Sequence, residues 1–379
     1  MSKHTLPYKC LLLLLSTALL VTGCARRNVL EDLGLTLSVG YDMTDDGKIL
    51  VTAAMPEVSQ EAQEKVEIIA SKGDLSKEAR SNLGLSTDRK VVSGQLRTAI
   101  FSEKLARQGI WQNLDTLLRD VNITSALIVC ISDDKAHDIL STKYPDRPNI
   151  GRYVFDLLRK EQKNYTVPKT TIEDFARRYY DRMADPVAPY LQLEVGHLKA
   201  AGTALFREDK YVGSLSPEET KMLMLLSGKG EGGDIKQTLK TSKGKSKPDQ
   251  ILMTFVRATN DYEVKSQKGK KGKRDKTSIT FNVKVSGQVV EYSGEEDLLD
   301  PTVKTNLEKQ ISEGLRSRME DLIDQLQHKY KSDPLGIGGH IRAQHTYKEW
   351  TREIWRREYE NAKIKVNFDF EITRPGVIK

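Results

Sequence analysis

Cysteine is scarce in this chain, with Cys10, Cys24 and Cys130 the only three in 379 residues, and that scarcity excludes a small disulfide-stapled scaffold. Glycine and proline, at 26 and 12, stay at ordinary levels, which excludes collagen-like and wholly disordered chains. Long apolar runs are missing as well. The longest, residues 10–21 (CLLLLLSTALLV), is too short to cross roughly 30 Å of bilayer hydrocarbon comfortably, and the mean hydropathy is negative, so a polytopic membrane protein is excluded. Nor does one sign of charge dominate: 60 Lys and Arg against 53 Asp and Glu leave +7, too little to demand a nucleic-acid partner. What remains is a globular composition, 38% hydrophobic and 30% charged, long enough for two or three cores at roughly 150 residues per domain.

Catalytic and metal-binding spacings are also lacking. Asp42, Thr44, Asp46 and Gly47 begin like a calcium loop, but the twelfth position, where a bidentate carboxylate is needed, is Ala53. Gly244, Lys245 and Ser246 end like a phosphate-binding loop, yet the required earlier glycine is Leu239. Gly336, Gly338 and Gly339 lack the sixth-position glycine of a dinucleotide fingerprint, since Ile341 stands there, and they read as a helix stop and turn. Of His137, His197, His328, His340 and His345 only the last two are neighbours, without a carboxylate motif of the zinc-hydrolase type. No Gly-x-Ser-x-Gly elbow occurs, and Glu218 with Glu219 suits helix capping better than glycosidase chemistry. The expectation is a protein that is not an enzyme, with no catalytic residues, metal or cofactor. The basic stretch 268–276 (KGKKGKRDK) reads as a solvated hairpin tip, with a headgroup- or partner-binding patch as the alternative.

The N-terminus does carry a signal. Lys3 and Lys9 precede the apolar run, and small residues follow it, the three parts of a secretory leader. Val21, Thr22, Gly23 and Cys24 then resemble the lipobox of bacterial lipoproteins. That likeness implies cleavage after Gly23 and acylation of Cys24 as the new N-terminus, leaving Cys130 the single thiol. Cys130 sits within Ala126, Leu127, Ile128, Val129 and Ile131 and reads as a small buried hydrophobe. Two or three palmitate-like chains, at about 0.8 kcal/mol per buried methylene, would hold the protein on a membrane. Loss of Lys3 and Lys9 takes two charges from +7 and leaves +5.

Along the rest of the chain, residues 33–41 and 48–54 read as a hairpin, and 57–89 as a long loop or a short exposed helix. Strand 97–101 leads into a helix capped by Ser102 and stopped by Gly109. Trp111, Leu114, Leu117 and Leu118 mark the apolar face of a second helix, and 126–131 a buried strand. Helices are predicted at 133–140, 150–163 and 171–183, with Pro186 and Pro189 ending that stretch. Strands follow at 191–195, 202–206 and 211–215. Ser216, Pro217 and Glu219 form a capping box. Residues 227–249 read as mobile, 250–264 and 278–290 as a strand pair, and Val303, Leu307, Ile311, Leu315, Leu322, Leu326 and Tyr330 as the stripe of a long amphipathic helix. A short helix carrying Trp350 and Trp355 and a strand at 362–373 close the chain. The class is α+β: mixed α/β domains, three in number, divided as a leader over 1–23, an N-terminal domain over 24–200, a middle domain over 201–290 and a C-terminal domain over 291–379.

Taken in order, these features resemble the Ger(x)C family, the lipoprotein C subunits of spore germinant receptors. The likeness rests on Gly23 and Cys24 with Arg26 and Arg27, on Leu33-Gly34 with Val39-Gly40-Tyr41-Asp42, and on Leu96-Arg97. Leu105 to Gly109, Leu117 to Asp120, Gly202 to Phe206 with Tyr211 to Leu215, and Asp333 to Gly338 ahead of Trp350 and Trp355 extend it over nearly the whole chain. Ala25, Gln95 and Tyr347 depart from the family pattern. The resemblance implies three mixed α/β domains tethered through Cys24 to the outer face of the inner spore membrane, beside a multi-spanning A subunit and a permease-like B subunit, in a complex that turns nutrient signals into germination. Two readings compete: a lipid-anchored solute-binding protein of an importer expects two lobes with central parallel sheets, which the long helix and terminal strand do not suit, and a lipid-anchored cell-wall enzyme needs carboxylates or a metal set in a cleft.

Overall fold

The computed structural model describes residues 32–57, 65–144, 146–147, 149–181, 183–228, 233–240, 247–267, 276–342 and 351–374. In chain order the elements are β1 (Leu33–Leu35), β2 (Ser38–Met43), β3 (Ile49–Pro56), β4 (Val66–Gly73), α1 (Ser76–Asn82), β5 (Lys90–Val92), β6 (Thr98–Ser102), α2 (Glu103–Ala106), α3 (Trp111–Leu118), β7 (Ile128–Ser132), α4 (Ala136–Ser141), α5 (Ile150–Lys163), α6 (Ile172–Asp181), β8 (Val187–Glu194), β9 (His197–Arg207), β10 (Lys210–Leu215) and α7 (Pro217–Leu226). Then come β11 (Asp234–Thr238), β12 (Gln250–Gln267), β13 (Lys276–Tyr292), α8 (Pro301–Asp324) running into a π-helical turn (Gln325–Tyr330), α9 (Ile337–Arg342), α10 (Arg352–Tyr359) and β14 (Lys363–Arg374).

Two strands with no polar alternation, β6 and β7, are buried at every position, as a strand covered on both faces must be. They sit in the middle of an eight-stranded sheet ordered β10-β9-β8-β7-β6-β2-β3-β4. Its centre, β2, β6, β7 and β8, is parallel, and antiparallel hairpins extend it at both ends. On one face α3 and α6 bring Leu114, Leu117, Ile172 and Phe175 onto Val129, Ile131 and Phe206. On the other, α4 and α5 bring Ile139, Leu140, Val154 and Leu158 onto Ile100 and Cys130. A second sheet, β11-β12-β13-β14, carries α8 across its apolar face, and Leu307, Ile311, Leu315, Met319 and Leu322 of that helix join Val283, Val285 and Phe370 in a separate core. The mixed α+β class and the long C-terminal helix are therefore as the sequence pattern predicts.

Several expectations change. Residues 66–73, within the predicted loop, form β4, an edge strand whose mostly half-buried residues blunt the alternation. Pro189 lies inside β8 and does not end a helix; parallel pairing with β7 starts only at Tyr190, so the missing N–H costs no ladder bond on that side. Residues 234–238, within the stretch read as mobile, form edge strand β11 with Ile235 its one buried residue. Gly336 makes the expected turn, but Ile337–Arg342 after it is a helix. Leu118, placed on the apolar face of α3, is exposed.

The division at 200/201 falls within β9, and that at 290/291 within β13. The 201–290 and 291–379 stretches share the second sheet, where β13 pairs with β14 in parallel. Trp350 and residues 268–275 of the basic stretch lie outside the described residues. Among the described residues no helix is long and apolar enough to cross a membrane.

Candidate functional site

Gly23 and Cys24, the expected cleavage and lipidation positions, lie outside the described residues. Eight peptide units separate Cys24 from Asp32, so an acylated Cys24 would hold β1 within at most about 28 Å of the bilayer. The motif residues farther along the chain converge elsewhere, on a buried joint between the two sheets.

Two aspartates make the joint. Asp185 enters it because α6 ends and Pro186 turns the chain toward β8. Asp333 enters it because Lys331 takes a left-handed conformation (φ 50°) and stops the helical run. The segments clasp reciprocally: the Asp185 N–H donates to the Asp333 carbonyl at 2.8 Å, and the Asp333 N–H donates to Asp185 Oδ2 at 2.8 Å. Asp185 Oδ1 accepts the N–H of Glu208 at 2.9 Å, from the tip of the β9–β10 hairpin. The Arg356 guanidinium of α10 closes on both oxygens, with Nη1 at 2.6 Å from Oδ2 and Nη2 on Oδ1. Asp333 in turn accepts the N–H groups of Ile337 (3.0 Å) and Gly338 (2.9 Å) and the Trp355 indole N–H (3.0 Å).

Around these carboxylates the polar groups are used. Ser332 Oγ donates to the Phe206 carbonyl at 2.6 Å, the Tyr359 hydroxyl to the Ser332 carbonyl at 2.8 Å, and Arg178 Nη1 to the carbonyls of Pro334 (2.8 Å) and Asp185 (3.1 Å). Of the two buried carboxylates, Asp185 is paired with the Arg356 guanidinium and Asp333 is held by three N–H donors, while Arg178 is spent on backbone carbonyls. Burying a charge is tolerable only with such pairing, and removing one partner from a buried pair costs about 3–5 kcal/mol. Burial pushes Asp333 up to about 6 against its three donors. For Arg356 burial works downward, but the Asp185 hydrogen bond and charge outweigh it and hold the guanidinium charged.

Chemically the joint is a clamp. Its acids and bases already have partners, and its effect is to fix one sheet on the other. Behind it a cleft of about 770 Å³ opens between α5, α6 and α7, with Arg159, Lys163, Lys169, Arg177 and Arg178 against Asp174. Asp333 belongs to a motif legible in sequence. Asp185, Arg178 and Arg356 do not, because their pairings span as many as 171 residues and no local spacing announces them.

Among the described residues, several of the rejected motifs have structural roles, while Gly244 to Ser246 and His345 lie outside the described residues. Asp42, 2% exposed, accepts the N–H groups of Ala136 and His137, both at 2.8 Å, and so caps α4. Thr44 closes the β2–β3 turn by donating to the Lys48 carbonyl at 2.8 Å. Ser216 and Glu219 form the predicted capping box, Ser216 Oγ accepting from the Glu219 N–H at 3.2 Å and Glu219 Oε2 from the Ser216 N–H at 2.8 Å. Cys130 is fully buried, and desolvation raises its thiol pKa far above the ordinary range, which suits a core residue and not a nucleophile.

Comparison with known proteins adds a second line of argument. The model of the spore germination protein N-terminal domain matches residues 26–193, and that of the spore germination B3/GerAC-like C-terminal domain matches residues 201–376. Spore germination protein GerQC of Bacillus cereus is 24% identical over 366 residues, covering 97% of this chain and 98% of that protein. Spore germination protein B3 of Bacillus subtilis (strain 168) is 24% identical over 372 residues, covering 95% and 96%. The crystal structure of the GerBC protein is similar with a TM-score of 0.58 at 20% identity, over 88% of this chain and 96% of that one. Such a likeness speaks for the fold. The break between the two matched regions leaves β9 and β10 with the second region in sequence, yet both strands complete the first sheet, and the tip of their hairpin supplies the Glu208 N–H and Phe206 carbonyl of the clamp.

Proposed function

The chain belongs to the spore germination family of GerAC-like proteins, matched over both its halves, and from that premise we propose that it is the membrane-anchored lipoprotein subunit of a nutrient germinant receptor. Acylated Cys24 ties it to the outer face of the inner spore membrane, and it works by holding the receptor's A and B subunits together, without turnover of its own. The observation that carries this reading is the coincidence of a lipobox at Val21 to Cys24 with family matches that begin two residues later and run to residue 376. The clamp between the sheets supports it: a subunit that organises others needs a fixed shape, and buried, fully paired polar networks give one.

Anchoring is tested by Cys24→Ala in sporulating cells fed a clickable fatty acid. The label and the membrane-pellet fraction of the protein should both be lost. Wild-type recovery of the variant in the pellet, with label, would remove the lipoprotein assignment.

A further inference from the structure

At the end of the molecule where the chain leaves its N-terminal segment, a pocket of about 800 Å³ opens between β1, β5, α1 and the end of α3, a size suited to a small ligand. Two of its polar groups lack partners: Thr36 is 4% exposed and its Oγ1 has no hydrogen-bond partner, and Nη1 of Arg80 is buried without one. Arg80 Nη2 donates to the Thr116 carbonyl at 3.3 Å. Arg89 is held from behind by Glu57 at 2.5 Å and Glu67 at 3.7 Å. Lys77 and Lys90 add two exposed cations, and among the lining residues the one carboxylate is Asp120, 3.8 Å from Lys77. With Arg89 paired to Glu57 and Glu67 and Lys77 beside Asp120, the groups left to meet an oxyanion are Arg80, Lys90 and the Thr36 hydroxyl.

Two exposed apolar residues adjoin the lining in sequence: Leu85, 86% exposed, follows the lining residue Gly84, and Val121, 96% exposed, stands between the lining residues Asp120 and Asn122. Large apolar side chains so exposed beside a cationic pocket suit a ligand that is anionic at one end and hydrocarbon at the other. Leu33, which also lines the pocket, lies nine residues after Cys24, so full extension leaves at most about 30 Å between this mouth and an anchored acyl group.

We propose that this pocket seats the phosphate headgroup of an anionic phospholipid of the bilayer that holds the chain, with Leu85 and Val121 dipping into the interface. The inference rests on the lipid-anchored reading and goes beyond it, since the anchor alone would leave the body free to tumble on its tether. Free phosphate satisfies the donors but leaves Leu85 and Val121 in water, and for that reason the lipid is the favoured source.

The test places the full-length acylated chain in nanodiscs of phosphatidylcholine alone or of equimolar phosphatidylcholine and phosphatidylglycerol. Nitroxide labels go on Leu85→Cys and Val121→Cys, with Val195→Cys as an aqueous control; Cys130 is buried and does not compete. In the mixed discs the oxygen-to-nickel accessibility ratio at 85 and 121 should rise several-fold over pure phosphatidylcholine, and stay unchanged at 195. Lys77→Glu with Lys90→Glu, both exposed and remote from the core, should abolish the rise while leaving the melting curve in place. A chain that fails to enter the discs would overturn the anchor and this inference together. An incorporated chain whose labels stay aqueous would overturn the inference alone. Release of the labels by inorganic phosphate as readily as by short-chain phosphatidylglycerol would make the pocket a free-anion site and overturn the bilayer seat.

Discussion

Burial pushes Asp333 from the ordinary aspartate range up to about 6, and the N–H groups of Gly338, Ile337 and Trp355 only partly offset that. In the unfolded chain the same group titrates near 4, so between about pH 4 and pH 6 the native state holds a proton that the unfolded state has released. The contribution of this group to stability is fully present below about pH 4 and is lost as the pH rises through 6, by on the order of 2–3 kcal/mol. Asp333→Asn keeps an acceptor and does not titrate. The difference in urea-unfolding free energy, wild type minus variant, should therefore fall by that amount between pH 4 and 7. A difference that grows with pH would mean that the three donors outweigh desolvation. At this scale the sequence is legible where chemistry is local: the Ser216 cap and the hydrophobic setting of Cys130 follow from their neighbours. The Asp185–Arg356 pair is not, because its partners meet only when both sheets have formed.

Among the elements, β9 and β10 carry the strictest geometry. Gly202 lies at φ 120°, and a Cβ there would come within 2.0 Å of the Leu215 carbonyl oxygen. Gly213 lets the Tyr330 ring pack directly on the strand, where an added Cβ would meet the ring at 2.3 Å; the Tyr330 hydroxyl donates to the Ser214 carbonyl at 3.1 Å. Flexible rings can shift, but a carbonyl in a ladder cannot. Gly202→Ala should therefore cost on the order of 2–4 kcal/mol, read as a lower chemical-denaturation midpoint at unchanged m-value; a midpoint within error of wild type would show that the β9–β10 hairpin yields. The strongly periodic elements, α5 and the long α8 stripe, stand in the structure where the sequence pattern puts them. Among the elements hidden from the pattern are the edge strands β4 and β11, the three-residue β5, and the first half of β8, where Pro189 imitates a helix stop.

Among the described residues two large sheets, of eight and four strands, stand beside the small β1–β5 pair, and they are stitched by a hairpin that belongs to the second half in sequence and to the first sheet in space. That crossing is why boundaries drawn from composition cut through β9 and β13: a strand continues through a change of local character, and only pairing reveals it. The α+β class was readable because adjacent strands without intervening helices are a local feature. The family was readable because many weak motifs keep their order along the chain. The proposed role rests on the family together with the lipobox-like sequence, and it is tested most directly by affinity purification of the tagged full-length chain from detergent-solubilised membranes of dormant spores. The account predicts that a multi-spanning A subunit and a permease-like B subunit co-purify with it in fixed ratio, and that deleting the chain lowers their abundance and the nutrient response together. Recovery of the chain alone, or with the components of a solute importer, alongside a normal nutrient response in the deletion strain, would contradict it.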